Sequence, residues 1–289
     1  MISPARALAC AVLAMSIGFA AARVEAQGLN LGSGDNDAPI EVYADNGIEW
    51  QQDNEVLIAR GNARAVRAGV NVYGDVLRAY YRKEEKGNGS QLTRLDAAGK
   101  VRIVSPNESI DGEGAVYDLD KAILVVNGKK VTYRSGKDVI TAEQQMEYYE
   151  RDLKAVARGN ASAIHDGKKL NAKLIQAQFY KTKADKTEVR EVQAFDDVVI
   201  VTEQDVVRSD KAIYNVITEM ATLTGNVRIT RGKNVLTGDA AEVNMKTGVS
   251  RLLASPGGRS GGRVQGLITP QKREPSTKSN SNTKGATSK

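Results

Sequence analysis

The chain has 289 residues, with 41 Lys and Arg against 35 Asp and Glu, one cysteine and one histidine. Its net charge of +6 sits mainly at the end, where Lys272, Arg273, Lys278, Lys284 and Lys289 face only Glu274, so the stretch 27–270 is nearly neutral. No basic stripe with interleaved aromatics crosses that stretch, which argues against nucleic acid as a partner, and one His and one Cys supply no metal-ligand cluster.

Residues 1–26 read as a cleavable signal peptide. Arg6 gives a short basic start, Ala7 to Ala22 is apolar, and Val24-Glu25-Ala26 has the small-x-small form of a cleavage site, leaving Gln27 as the new N-terminus. The apolar run is about 16 residues, short of the ~20 a membrane-spanning helix needs. Cys10 precedes most of that run, which excludes a lipid-anchor reading, and the mature chain then contains no cysteine. It enters an oxidising compartment without a disulfide, so burial and strand pairing must stabilise it. Residues 27–39, rich in Gly, Asn, Asp and Ser, read as a flexible lead-in.

Residues 40–255 are repetitive. One phrase is small, acidic, any, Ala, any, Tyr or Val: Gly112-Glu113-Gly114-Ala115-Val116-Tyr117, Ser209-Asp210-Lys211-Ala212-Ile213-Tyr214 and Gly238-Asp239-Ala240-Ala241-Glu242-Val243. A second phrase follows it: Gly61-Asn62-Ala63, Gly99-Lys100-Val101, Gly159-Asn160-Ala161 and Gly225-Asn226-Val227, with Asp196-Asp197 standing in the same place before Val198. Seven units begin near Ala44, Gly74, Gly112, Ala142, Ala172, Ser209 and Gly238. A repeat of about 30 residues means one supersecondary unit copied in tandem, each unable to bury its apolar face alone.

Within the units the apolar period is two, which predicts strands with one buried and one wet face. Turn signals at Asp45-Asn46-Gly47, Lys86-Gly87-Asn88-Gly89, Asn127-Gly128, His165-Asp166-Gly167 and Arg231-Gly232-Lys233-Asn234 divide them. The units at Ala44 and Ala142 carry one extra residue, as a β-bulge would. The charged spacers 82–95 and 181–190 are expected to be protruding hairpin ends. Helix is not expected in the mature chain, although Ala142 to Ala157 can be misread as one. Residues 256–270 read as a Gly-rich linker with a short last strand in Val264-Gln265-Gly266-Leu267-Ile268, and 271–289 as a disordered basic tail.

The expected fold is all-β, a tandem-repeat antiparallel structure of two facing sheets. The residues in the inward register are Ala63, Ala65, Leu77, Ala79, Val101, Ile103, Ala115, Tyr117, Val131, Tyr133, Ala161, Ala163, Val198, Ile200, Ala212, Tyr214, Val227, Ile229, Ala241 and Val243. Many are small, whereas ordinary sandwich cores are filled to crystal density with larger side chains. Either the faces approach closely, as in a tight solenoid, or the space between them holds a ligand. Arg64, Arg78, Arg102 and Arg228 fall on the wet register. The end strands present unpaired edges, with Ile40, Val42, Ile48 and Trp50 at one end and Val249 and Leu252 near the other (Val235 to Leu253), suited to pairing with another chain.

The paired phrases resemble those of the OstA/LptA family of periplasmic lipopolysaccharide-transport bridge proteins. The resemblance covers roughly residues 40–255. It implies an open, V-shaped β-taco or β-jellyroll in the periplasm. The inward residues then form a lipid-binding groove for the acyl chains of lipopolysaccharide. The edges would join the chain head to tail to itself and to inner-membrane and outer-membrane transport components of the same fold. It implies no cofactor and no catalytic residue.

Two alternatives follow from the residues alone. A structural or polysaccharide-binding solenoid needs exposed aromatic rows, and Tyr80-Tyr81 and Tyr148-Tyr149 each place only one ring outside. A β-helical polysaccharide-cleaving enzyme needs convergent carboxylates. Asp196-Asp197 and the pair Asp111 and Glu113 instead recur as repeat landmarks, and His165 is a lone histidine in a turn context.

Overall fold

The structure, a computed structural model, describes residues 40–83, 90–184, 186–244, 246–247, 249–254 and 263–269. The expected signal segment, the lead-in, the turn at 86–89, the core of the Gly-rich linker and the basic tail lie outside these residues.

All regular structure among the described residues is β. The chain begins with β1 (Glu41–Tyr43), β2 (Ile48–Gln51), β3 (Val56–Arg67), β4 (Val70–Lys83), β5 (Ser90–Val104) and β6 (Glu108–Asp118). It continues through β7 (Ile123–Asn127), β8 (Val131–Ser135), β9 (Asp138–Ala142), β10 (Gln145–Tyr149), β11 (Lys154–His165) and β12 (Lys168–Lys181). It closes with β13 (Thr187–Val201), β14 (Asp205–Asn215), β15 (Met220–Arg231), β16 (Asn234–Asn244), β17 (Ser250–Leu253) and β18 (Gln265–Leu267). Each strand pairs antiparallel with its neighbours, so one continuous sheet contains all eighteen.

That sheet is creased along a single line. The register of the long strands slips at Arg60/Ala63, Tyr73/Val76, Ala98/Val101, Arg158/Ala161, Asn171/Leu174, Phe195/Val198, Arg208/Lys211 and Thr224/Val227. Each slip is a β-bulge, which bends its strand. Every long strand therefore lies half in one face and half in the other, and apolar side chains of the two faces meet in one core. We call the face containing β2, β7, β10 and β17 the first, and that containing β1, β8, β9 and β18 the second.

The repeated phrases are the chemistry of this crease. Gly61 and Asn62, Gly99 and Lys100, Gly159 and Asn160, Asp196 and Asp197, and Gly225 and Asn226 all have positive φ, between 43° and 83°. Gly, Asn and Asp tolerate that conformation best. The acidic residue of the other phrase lies alongside: Asn62 donates to Asp45 at 2.7 Å, Asn160 to Glu143 at 2.6 Å and Asn226 to Asp210 at 2.7 Å. A side chain on Gly225 would meet an Asp210 carboxylate oxygen at 2.3 Å, and one on Gly99 would meet Asp75 at 2.2 Å. Glycine is thus required there twice over, by conformation and by contact.

Three strands are broken at the crease rather than bulged. The units at Ala44 and Ala142, expected to carry a bulge, instead split into β1 and β2 and into β9 and β10, and the turn at Asn127-Gly128 separates β7 from β8. In the first break Asp45 and Asn46 turn the chain and their amides bond to Gly61 and Arg60 of β3. The charged spacers are shorter than expected, because β4 runs on to Lys83, β5 starts at Ser90 and β13 starts at Thr187.

A larger repeat overlies the small one. Strands β3 to β6 contain 12, 14, 15 and 11 residues, and β11 to β14 contain the same numbers. Ala59-Arg60-Gly61-Asn62-Ala63 of β3 recurs intact as Ala157-Arg158-Gly159-Asn160-Ala161 of β11. The molecule is two copies of one folded ribbon, side by side in a continuous sheet.

Candidate functional site

Fourteen of the twenty inward-register residues are buried, and Ala65, Ala79, Tyr133, Ala163, Ile200 and Tyr214 are half-buried. They do not all occupy the same kind of place. Ala63, Val101, Val131, Ala161, Val198, Val227, Ile229 and Ala241 pack at the crease or close to it, each 3% exposed or less. They pack in the hinge. The others face the gap between the two faces.

That gap differs between the two copies. In the first copy Ala65, Leu77, Ala79, Ile103, Ala115 and Tyr117 surround only about 50 Å³, with Ile40 and Val42 at its end. The faces there nearly touch, as in a tight solenoid. In the second copy the faces stand apart around a groove of about 520 Å³. Tyr133, Ala163, Ile200, Ala212, Tyr214 and Val243 line it, joined by Ile140, Met146, Tyr148, Leu170, Ile175, Ala177, Phe179, Val192, Ala221 and Leu223. The Tyr148 and Phe179 rings meet edge to face with centroids 6.3 Å apart. A groove of this size lies within the range of small-ligand sites, about 300–1,000 Å³.

The lining is almost wholly aliphatic and aromatic. Polar side chains reach the groove on both faces: Glu108, Asp138, His165 and Lys168 on the second, and Glu147, Thr187 and Glu188 on the first. His165 is not a freely solvated turn residue: it is half-buried, and its Nδ1 contacts the Asp138 carboxylate. Glu108 is 4% exposed and neither of its carboxyl oxygens has a hydrogen-bond partner. Burial pushes its pKa up to about 7, with the Tyr133 hydroxyl close enough to offset a little of the rise. Across the groove, burial pushes the Tyr148 hydroxyl up to about 12. Glu147 shows the contrast. It is as buried as Glu108, and burial alone would raise it, but Arg158, Tyr149 and Gln145 all donate to it and hold it below the ordinary range.

The remaining carboxylates do not converge. Asp111 pairs with Arg134 at 2.6 Å and Arg102 at 3.5 Å, and Asp197 pairs with Lys173 at 2.9 Å. Asp196 and Asp197 form the crease itself. Arg64, Arg102 and Arg228 are exposed as expected, whereas Arg78 is half-buried beside the small cavity of the first copy.

The end strands are unpaired on their outer sides. At the N-terminal end β1 and β2 each pair only with β3. At the other end the edge is β17 and β18, not Val235, because β16 is covered by β17 on one face and β18 on the other. Val42 and Leu252 turn inward and pack on the core, while Ile48, Trp50 and Val249 are 49%, 62% and 53% exposed.

Fold and groove together define a creased, all-β repeat protein with an apolar interior open to a ligand. Residues 140–249 match the family described as LptA/(LptD N-terminal domain) LPS transport protein. That stretch of the chain is thus similar to the LptA/LptD N-terminal family. An uncharacterized protein of Rhizobium meliloti (strain 1021) is 29% identical over 163 residues, covering 52% of this chain and 84% of the relative. Among solved structures, LptH of Pseudomonas aeruginosa, the LptA homologous periplasmic component of a lipopolysaccharide transport device, aligns with 82% of this chain and 99% of its own. The identity is 11% and the TM-score 0.21, too low to carry an argument.

Proposed function

We propose that this chain is a periplasmic lipopolysaccharide-transport protein that shields lipid acyl chains between its two faces and joins like-folded partners through its end strands. The observation that carries the reading is a coincidence of place. The wide apolar groove is built mainly from residues 138–223, and the family match spans 140–249.

The physics of the task fits such a groove. A 12-carbon chain exposed to water costs about 9 kcal/mol at ~0.8 kcal/mol per methylene. A lipid with several such chains cannot cross an aqueous space bare. Aliphatic walls make the transfer from bilayer to protein nearly level, so each step stays reversible. The chain offers no phosphate-binding loop that would couple the movement to nucleotide hydrolysis. Net flow must therefore be driven by a partner in the inner membrane.

A pair of photo-crosslinking positions tests this. Ile200 lines the groove, while its neighbour Val199 belongs to the opposite side of β13. With labelled lipopolysaccharide, adducts are expected at position 200 and not at 199. Equal labelling of both, or none at 200 and none at Ala177 or Val192, overturns the groove reading.

A further inference from the structure

The polar rim is an ordered row. Glu108 of β6 stands opposite Ser135 of β8, and Ser135 opposite Asp138 of β9. Asp138 contacts His165 of β11, which stands opposite Lys168 of β12. Asp138, His165 and Lys168 thus have polar neighbours along the row, while Glu108 has the Tyr133 hydroxyl close by but neither of its oxygens reaches a donor in good hydrogen-bond geometry.

The second copy of the ribbon shows what the fold does with a carboxyl at this position when none is left open. Strand β14 is the counterpart of β6, and Asp205 begins it as Glu108 begins β6. Asp205 is even more buried, at 1% exposed. The residue opposite it is Arg231, which donates two hydrogen bonds at 2.7 and 2.6 Å. In the first copy the same cross-strand place holds Ser135, so Glu108 has no cation opposite it and the Tyr133 hydroxyl is its polar neighbour. A buried carboxyl without a partner is costly. This one faces the groove.

We propose that Glu108 is the recognition group of the groove and takes a hydrogen bond from a hydroxyl or amide N–H carried near the head of an acyl lipid. The inference rests on the reading of the groove as an acyl-binding site and adds its selectivity. Acyl chains bearing a hydroxyl or held by an amide link are preferred over plain ester-linked hydrocarbon. A neutral donor suits the rim better than a cation, because Lys168 and His165 already stand on it. The polar end of the lipid lies at this rim, and its hydrocarbon runs away from it past Ile140, Leu170 and Val192.

The test is displacement of an apolar fluorescent dye from the full chain by three probes of equal chain length: methyl dodecanoate, methyl 3-hydroxydodecanoate and N-methyldodecanamide. The hydroxy ester and the amide are expected to bind about tenfold more tightly than the plain ester, the factor one good hydrogen bond to a carboxyl supplies. Glu108→Met is expected to bind all three alike, with the plain ester held at least as well as before. Glu108→Gln, which keeps an acceptor oxygen, is expected to retain part of the preference. Equal affinities in the unaltered chain, or a preference that survives Glu108→Met, would overturn the role of Glu108 and leave the acyl groove standing. Failure of all three probes to displace the dye would overturn the groove reading and this inference with it.

Discussion

Glu108 makes the stability of the folded chain depend on pH in a defined direction. Its carboxyl titrates near 7 in the folded state, against an ordinary value of 4.5. The raised value means that the folded form holds the proton more tightly than the unfolded chain does. Stability therefore falls as pH rises from about 4.5 through 7, and the loss is complete above that window. A shift of this size corresponds to roughly 3 kcal/mol at one unit per 1.36 kcal/mol. Its neighbour Tyr133 and, across the groove, Tyr148 stay neutral throughout that window, since burial pushes both hydroxyls up. Glu150 is raised for the same reason and contributes a slope of the same sign. Glu108→Gln should leave stability nearly unchanged at pH 5 and raise it by roughly 3 kcal/mol at pH 8, read from urea unfolding at both pH values. An unchanged difference between pH 5 and pH 8 in the variant would place the responsible proton elsewhere.

The strand-scale device is the crease, and single glycines test it. Gly225 has φ +76°, and an added Cβ would press on Asp210, the carboxylate that accepts from Asn226. Gly232, in the hairpin after β15, has φ +55° with nothing within 4 Å of the same atom. Gly232→Ala should cost about 1 kcal/mol, the strain of the left-handed conformation alone. Gly225→Ala should cost about 2 kcal/mol more, because an ordered bulge must shift as well. Equal urea midpoints for the two variants would show that the Asp210 contact contributes nothing. The phrases of this crease were legible in the sequence but their role was not. They read as repeat landmarks, with bulges expected at the Ala44 and Ala142 units instead. The recurrence of Gly-Asn and its stand-in Asp196-Asp197 reflects the special backbone conformations that bulges need. The alternation of β13, β15 and their neighbours was legible for the same local reason. What local pattern does not encode is the separation of the two faces. Alanines such as Ala79 and Ala177 read alike, yet one faces a closed gap and the other an open groove. From the sequence the C-terminal edge is drawn too wide, back to Val235, although Leu252 lies on β17 and the last strand is read in Val264 to Ile268. Glu108 escaped notice although a signal was there. It shares the inward register with Ile110, as Asp205 does with Val207, and only the longer repeat makes the missing arginine visible.

At the scale of the whole molecule the exposed apolar side chains are concentrated at the two ends. Among the described residues eleven large hydrophobic side chains are exposed, and eight of them belong to the end segments: Tyr43, Ile48, Trp50, Val249, Leu253, Val264, Leu267 and Ile268. An unpaired edge is normally blunted by charge or proline; here Glu41, Glu49 and Arg251 stand among these exposed apolar side chains. The ends also match in length face by face. On the first face β2 and β17 have 4 residues each, and on the second β1 and β18 have 3 each. Continuing the sheet from the C-terminal end of one molecule onto the N-terminal end of the next would pair both edges at once and extend the crease between copies. Such joining is heterologous and does not close on itself, so it yields chains of variable length. Sedimentation velocity should then show species growing with protein concentration. Ile48→Lys and Leu253→Lys should each suppress them by putting a charge on one of the two edges. Thr222→Lys, an exposed position in the middle of the sheet on β15, should leave them unchanged. If both edge variants still assemble as the parent does, the ends are not where the molecules meet. If the parent remains a monomer at all concentrations, the end-to-end joining of like chains is overturned.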